Sequence, residues 1–403
     1  MTVEGPGRVL CTCLPGLGHF LPMVPLARGL AGAGHDVAFA TAEDFLPHIE
    51  KMGFAAFPAG LSLPEQLEEA ARRFPEQHAM APSKERFFSF VPRMLAGAAA
   101  PARANDLVPI VHEWRPDVLV HDETELGGPV AAAVAGVPYA DHSVAIFRPL
   151  EMARLARATI APLWEAWNVD LGPFAGMFRY LYLDVCPPSL QSREIDQIDV
   201  AYPMQNAHGE TGDQPLPGWI ADLRPVPTVY ISLGTVFNRH PEVFATILAG
   251  LHDEDLNVIV TIGTDQDPTA LGPQPEHIHV ERFIAQSALL PHCDAVVNQG
   301  GTAILEILAH GLPLLMLPQG ANQFYNAEAC VAAGVARCLL PAEVSPESVR
   351  TSLRALLEEP VYRERARDVA RETEEMPGPE QGVALVERLA RERRPLTRPA
   401  LQR

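Results

Sequence analysis

The chain has 403 residues, 47% of them hydrophobic and 20% charged, with a formal net charge of −19. That length suits two domains of ordinary size, and the composition is that of a folded globular protein. The acidic balance excludes nucleic acid and anionic membrane as partners, because both require a basic footprint.

In chain order, "RVLCTCLPG" is a short apolar run ending in a Pro-Gly turn, and "HFLPMVPLARGLAGAG" follows with apolar residues at helical spacing. "DVAFAT", "DVLVHD" and "PYADHSV" read as further buried strands of the same sheet. A second half repeats the plan with "TVYISLGT", "NVIVTIGT", "HIHVERF", "AVVNQGG" and "PLLMLPQG". Strands alternating with helices in this way predict an α/β fold of two Rossmann-like domains, whose parallel sheets face a cleft. Between the halves, Gln205 to Pro227 is rich in Asn, Gly, Asp and Pro, and reads as a linker. The segment from Glu347 to Arg394 is helical and charged, and the Arg-rich end from Arg388 to Arg403 reads as a solvated tail. The six cysteines are dispersed with no C-x-x-C, and Cys11 and Cys13 share one strand face as small core residues. No apolar stretch reaches ~20 residues and no signal segment opens the chain, so a reducing, cytoplasmic setting is expected.

Ligands in such sheets bind at the carboxyl ends of the strands, where helix N-termini present free N–H groups. In the first half, Gly16 and Gly18 suggest a dinucleotide fingerprint, but the third glycine is missing at Leu21. His19, at the loop-to-helix junction, is a candidate general base; the plainer reading is a capping or buried histidine. Asp122 ends a buried strand at the same sheet edge, and a carboxylate there would fix the imidazole tautomer. His19, His121, Asp122 and Glu123 are all able to ligate a metal, but no spacing enforces a cage, so none is assigned. In the second half, Gly300 and Gly301 turn a strand into a helix starting near Thr302, which suits a diphosphate. Ser232, Gly234 and Thr235 make a second small polar turn nearby, and Glu306 is placed to meet a sugar hydroxyl.

"CDAVVNQGGTAILEILAHGLPLLMLPQGANQFYNA", with "ERFIAQSALLPHCD" before it and "LPGLGHFLPMVPLARGL" at the start, resembles the family-1 nucleotide-sugar glycosyltransferases of the GT-B fold. Those acting on macrolides and other antibiotic-type natural products are the nearest in pattern. The resemblance covers nearly the whole chain. It implies an inverting, metal-independent transfer with an acceptor-binding domain at 1–210 and a linker at 211–227. A nucleotide-sugar-binding domain at 228–375 follows, and then a helix at 376–403 returning to the first domain. His19 then matches the general base and Asp122 its partner. Phe283 matches the aromatic residue stacked on the base, with Ile284 and Gln286 beside it. Gly300, Gly301 and Thr302 form the diphosphate loop, Glu306 the ribose contact, and Gln323 the last residue of the Asp-Gln pair that holds the sugar.

Departures from the family pattern concentrate at the donor. The pattern has histidine at Asn298, glycine then threonine at Thr302 and Ala303, proline at Ala285, and aspartate at Asn322. An amide at Asn298 donates to a phosphate oxygen but cannot become cationic. Charge-assisted bonds are roughly twice as strong as neutral ones, and losing such a donor in a transition state costs on the order of 10²-fold in rate. Asn322 and Asn326 complete a ring of amides. Such a site implies either a deoxy- or aminosugar donor or a weakened enzyme, the extreme being a non-catalytic, glycosyltransferase-like auxiliary protein. Glu306 favours UDP through its 2′-hydroxyl, whereas the missing aspartate favours a TDP-linked deoxysugar, so both remain open. Asp253-Glu254-Asp255 and Asp265-Gln266-Asp267 are D-x-D strings in loop positions, and no metal is required of them. Phe87, Phe88, Phe90 and Phe174, with Trp164, Trp167 and Phe178, either line a pocket for a hydrophobic acceptor or pack helices. The expected partners are the nucleotide-sugar co-substrate and a small hydrophobic acceptor, with no cofactor and with homodimerisation left open.

Overall fold

A computed structural model describes residues 7–206, 215–234 and 240–398. The first sheet is built from β1 (Arg8–Thr12), β2 (Asp36–Thr41), β3 (Ala55–Pro58), β4 (Val118–Asp122), β5 (Tyr139–His142), β6 (Tyr182–Asp184) and β7 (Ala201–Pro203). Its spatial order is β3-β2-β1-β4-β5-β6-β7, and every pairing is parallel. The second sheet holds β8 (Thr228–Ser232), β9 (Asn257–Thr261), β10 (Ile278–Glu281), β11 (Ala295–Asn298), β12 (Leu314–Met316) and β13 (Ala336–Cys338). It is ordered β10-β9-β8-β11-β12-β13 and is likewise parallel.

Apolar runs make this possible. A parallel sheet is covered on both faces, so its central strands need continuous rather than alternating hydrophobicity. All five residues of β4 and all five of β9 are buried. The short strands β3, β6, β7 and β13 have no counterpart in the sequence reading.

Strand order reverses between β1 and β4 in one sheet and between β8 and β11 in the other. Those reversals splay the connecting loops apart and leave a crevice at the carboxyl ends. The loops that matter below leave these four strands and, beside them, β10 and β12.

One continuous apolar cluster joins the two halves. Phe20, Met23, Leu26 and Leu30 share it with Val383, Val386 and Leu389 and with Ile284, Leu290 and Cys330. The helix Pro379–Glu392 lies on the helix Val24–Gly32, with Val383 seated where a side chain at Gly29 would otherwise project. Each buried aliphatic side chain of this kind contributes roughly 1.5–3 kcal/mol. A polar pair flanks the seam, His35 Nε2 and Glu387 Oε1 standing 3.0 Å apart.

Candidate active site

Past β1, the chain turns at Pro15 and Gly16, and Gly16 in extended conformation starts the single helical turn Leu17–Phe20. His19 rides on that turn with its side chain 29% exposed, whereas Asp122 at the end of β4 is wholly buried. Nδ1 of His19 lies 3.4 Å from Asp122 Oδ2 and 3.2 Å from Thr124 Oγ1. The Thr124 hydroxyl donates to Asp122 Oδ1, so its proton is already committed. Both groups facing Nδ1 therefore accept, which puts the ring proton on Nδ1 and leaves the lone pair on Nε2.

Burial by itself would raise the Asp122 carboxyl. The opposing influences prevail: the His19 ring, the Thr124 hydroxyl and the Leu14 N–H at 2.8 Å hold it well below the usual carboxylate range. A second backbone donor, Thr124 N–H, reaches Oδ1 at 2.7 Å. The result is a fixed, ionised orienter behind a partly exposed imidazole.

The flanking residues serve other partners. His121 Nε2 lies 3.0 Å from Asp141 Oδ1, and its Nδ1 is 2.9 Å from the Asp122 carbonyl oxygen. Burial would lower this imidazole, but the Asp141 charge outweighs it and carries the pKa up to about 9. Glu123 accepts from Tyr182 Oη at 2.8 Å and faces Arg148 Nη2 at 3.3 Å. The four candidate ligands thus point into three separate pairings, and no group of metal ligands converges among the described residues.

Across the crevice, Gly300 takes a left-handed φ of +89°, and a side chain there would strike Met316 and the backbone at Gln323. Two amides pin it. Asn298 Oδ1 accepts from Gly300 N–H at 3.0 Å, and Asn326 Nδ2 donates to the Gly300 carbonyl at 2.8 Å. Asn298 Nδ2 and Asn326 Oδ1 are buried with no protein partner among the described residues. The N–H groups of Gly301, Thr302 and Ala303 donate to no backbone carbonyl there either. Gln299 projects between Gly234 and Gly301, filling the space that side chains at those glycines would occupy.

Gln323 Oε1 accepts from the N–H groups of Gln319 and Gly320 at 2.7 and 3.0 Å, so its carbonyl shapes the preceding loop. Asn322 precedes the helix Gln323–Ala332 without capping it through its side chain, directly after Ala321 with φ +50°. Glu306 accepts from Gln286 Nε2 at 2.5 Å, and burial raises its carboxyl despite that bond. Phe283 is 48% exposed at the rim, while Ile284 is buried. Ser232 Oγ accepts from Gly234 N–H at 3.4 Å. Thr235 lies outside the described residues.

Of the aromatic candidates, Phe87 and Phe88 meet Tyr325 of the second domain at 6.5 and 6.0 Å between ring centroids. Phe90 is buried with Ala70 and Ala98 beside His78, and Phe174 packs on Phe178. Trp164 is buried in the core between helices. The D-x-D strings are occupied locally: Asp253 by His252, Asp255 by Arg224, and Asp267 by the Thr269 N–H. The sequence reading missed Thr124, Gln299 and the structural role of Asn326. Only the position of Thr124, two residues past a candidate orienter, could have signalled it.

Two parallel Rossmann-type sheets with their strand-order reversals facing one crevice, a histidine–carboxylate pair on one side and a glycine turn on the other, define a GT-B glycosyltransferase. Residues 28–234 match the N-terminal domain and residues 245–389 the C-terminal domain of the erythromycin biosynthesis protein CIII-like family. The chain belongs to that family. It is 30% identical to the L-demethylnoviosyl transferase of Streptomyces niveus, over 97% of this chain and 99% of that protein. The aclacinomycin-T 2-deoxy-L-fucose transferase of Streptomyces galilaeus is 26% identical, over 96% and 97% of the two chains. Among solved structures, the Streptomyces sp. SF2575 glycosyltransferase SsfS6 complexed with thymidine diphosphate superposes with a TM-score of 0.78, at 24% identity over 95% of this chain and 99% of that one. No helix among the described residues is long and apolar enough to cross a membrane.

Proposed function

We propose that this protein transfers a deoxysugar from a thymidine-diphosphate donor to a hydroxyl of a hydrophobic natural-product acceptor, with inversion at the anomeric carbon. The observation that carries the reading is the His19–Asp122 pair, 3.4 Å apart with Nε2 of the imidazole left as the base. In the transfer, the acceptor oxygen bonds to the anomeric carbon as the bond to the diphosphate breaks, and the hydroxyl proton passes to Nε2. Asp122, held ionised, then stabilises the imidazolium. The N–H groups of Gly301, Thr302 and Ala303, which meet no backbone carbonyl among the described residues, and the Nδ2 of Asn298, without a partner there, suit the diphosphate as it gains charge.

The choice of donor rests on chemistry and on relatives. Asn322 offers an amide where an anionic acceptor would grip sugar hydroxyls, and a deoxysugar presents fewer of them. One relative is named for 2-deoxy-L-fucose, and a structural neighbour holds thymidine diphosphate.

The test is His19→Ala, assayed with TDP-deoxysugars and a panel of phenolic acceptors while TDP affinity is followed by calorimetry. Loss of transfer with TDP binding intact supports the assignment. Retained transfer would remove His19 from the mechanism.

A further inference from the structure

The helix Gln323–Ala332 is held from two sides. Gln323 and Asn326 share one face, as helical residues three apart do, and both act on the second domain's own loops. Gln323 Oε1 accepts from the Gln319 and Gly320 N–H groups, and Asn326 Nδ2 donates to the Gly300 carbonyl. Tyr325 and Glu328 are likewise three apart, and at about 3.6 residues per turn their face lies nearly opposite the first. That face is turned to the first domain.

Tyr325 carries most of the contact. Its Oη donates to the Phe147 carbonyl at 3.0 Å, and burial pushes the phenol up from its ordinary value, so the hydroxyl keeps its proton and remains a donor. Its ring stacks on Phe87 at 6.5 Å with 26° between the planes, and meets Phe88 edge-on at 6.0 Å. Lys84 begins the helix that carries both phenylalanines; it pairs with Glu328, and its ammonium lies 5.6 Å over the Phe88 ring. That ion pair reaches solvent and contributes little alone. The anchor is stiff: Phe147 is wholly buried against Phe178 and Tyr182, and its own N–H donates to Gln191 Oε1 at 3.0 Å. A carbonyl fixed so firmly leaves Tyr325 one place to sit. Across the width of one helix, about 10 Å, that placement passes to Asn326 and so to Gly300, whose φ of +89° has to be held.

We infer that Tyr325 is a positioning residue for the donor: through it, Phe147 and Phe88 of the first domain set the geometry of the turn at Gly300 on the second. This rests on the proposal that the turn receives the donor's diphosphate, and goes beyond it by making donor affinity depend on residues of the opposite domain.

Calorimetric titration of TDP into the full-length protein tests the inference. Tyr325→Phe keeps the ring and loses one neutral hydrogen bond, and should weaken TDP about threefold. Tyr325→Ala loses ring and bond together, and should weaken it about tenfold or more. Phe88→Ala should cost about threefold in the wild-type background and nothing further in the Tyr325→Ala background, because the route is already cut. Unchanged TDP affinity in Tyr325→Ala, or a Phe88→Ala loss that persists in full beside it, would overturn the inference. A merely structural Tyr325 would lower the thermal midpoint and leave TDP affinity where it was. Where Tyr325→Ala fails to fold, Tyr325→Phe decides alone, and wild-type affinity in that variant would remove Tyr325 from the donor site. Wild-type protein that binds no TDP would overturn the donor reading and this inference together, whereas normal wild-type binding with indifferent variants overturns the inference only.

Discussion

Gly18 and Thr302 face each other across the domain boundary so closely that a Cβ on Gly18 would come within 2.6 Å of Thr302 Oγ1. The missing side chain beside His19 is thus what lets the turn at Gly300–Thr302 approach it. Gly18→Ala should force the two loops apart and lower kcat/KM by about tenfold, since small misplacements of reacting groups are expensive. Adding Thr302→Ala should recover most of the loss. Steady-state kinetics on the single and double variants check this, and strictly additive losses would refute the contact as the cause.

Asp122→Asn preserves the shape of the orienter and removes its charge. The amide can no longer accept from every donor now facing it, and the imidazole loses the reason to carry its proton on Nδ1. A fall in kcat of about 10³-fold or more is expected, with TDP affinity unchanged by calorimetry. Thr124→Val deletes one bond to a charged group and should be milder, about tenfold.

Asn326 grips the Gly300 carbonyl from the second domain's own helix. Asn326→Ala strands that buried carbonyl, a loss of about 1–3 kcal/mol in unfolding free energy. The same variant should weaken TDP binding, because the turn is no longer held in its left-handed conformation. Chemical denaturation and calorimetry on one preparation read both effects. A variant that loses stability but binds TDP normally would show that the turn is fixed by other means.

The His121–Asp141 pair gives the protein an alkaline stability limit. His121 titrates near 9 when folded, well above an ordinary imidazole. The pair therefore contributes fully below about pH 6.5, and its contribution fades as pH rises through about 9. Urea midpoints should decline across that window. Asp141→Asn should lower stability at pH 7 by about 3 kcal/mol and flatten the decline; an unchanged slope would locate it elsewhere.

Asp184 acts in a lower window. Burial pushes its carboxyl up to about 7, although Gln191 Nε2 at 2.7 Å and the Cys186 N–H at 3.1 Å work the other way. The folded state holds this proton more tightly than the unfolded chain does, so stability falls as pH rises from about 4 to 7. Asp184→Asn should gain about 2 kcal/mol at pH 8 and nothing at pH 4. Equal gains at both pH values would point to packing instead.

Much of the architecture was legible because parallel sheets impose continuous apolar runs, and nine of these were plain in the sequence. β3, β6, β7 and β13 were not: three are only three residues long, and β3 is half exposed. At the site, His19 and Asp122 could be placed together because both end strands or begin helices at one sheet edge. The surrounding division of labour could not be read. His121 and Glu123 look equivalent to Asp122 in the string "HDE", yet their partners Asp141, Tyr182 and Arg148 come from β5, β6 and the loop between them. The amides around Gly300 read as phosphate ligands. In the fold, one arm of Asn298 and one of Asn326 are spent on the backbone, which no periodicity announces.

The seam between the helices Val24–Gly32 and Pro379–Glu392 also bears on synthesis. His35 meets Glu387 across 352 residues of sequence, so the first domain emerges from the ribosome long before its covering helix exists. Until then Leu26 and the face at Gly29, against which Gly382 and Val383 of that helix rest in the finished fold, lie uncovered, the kind of surface that draws chaperones or nascent neighbours. A premature stop anywhere after the second sheet would therefore harm the half of the protein that was made first.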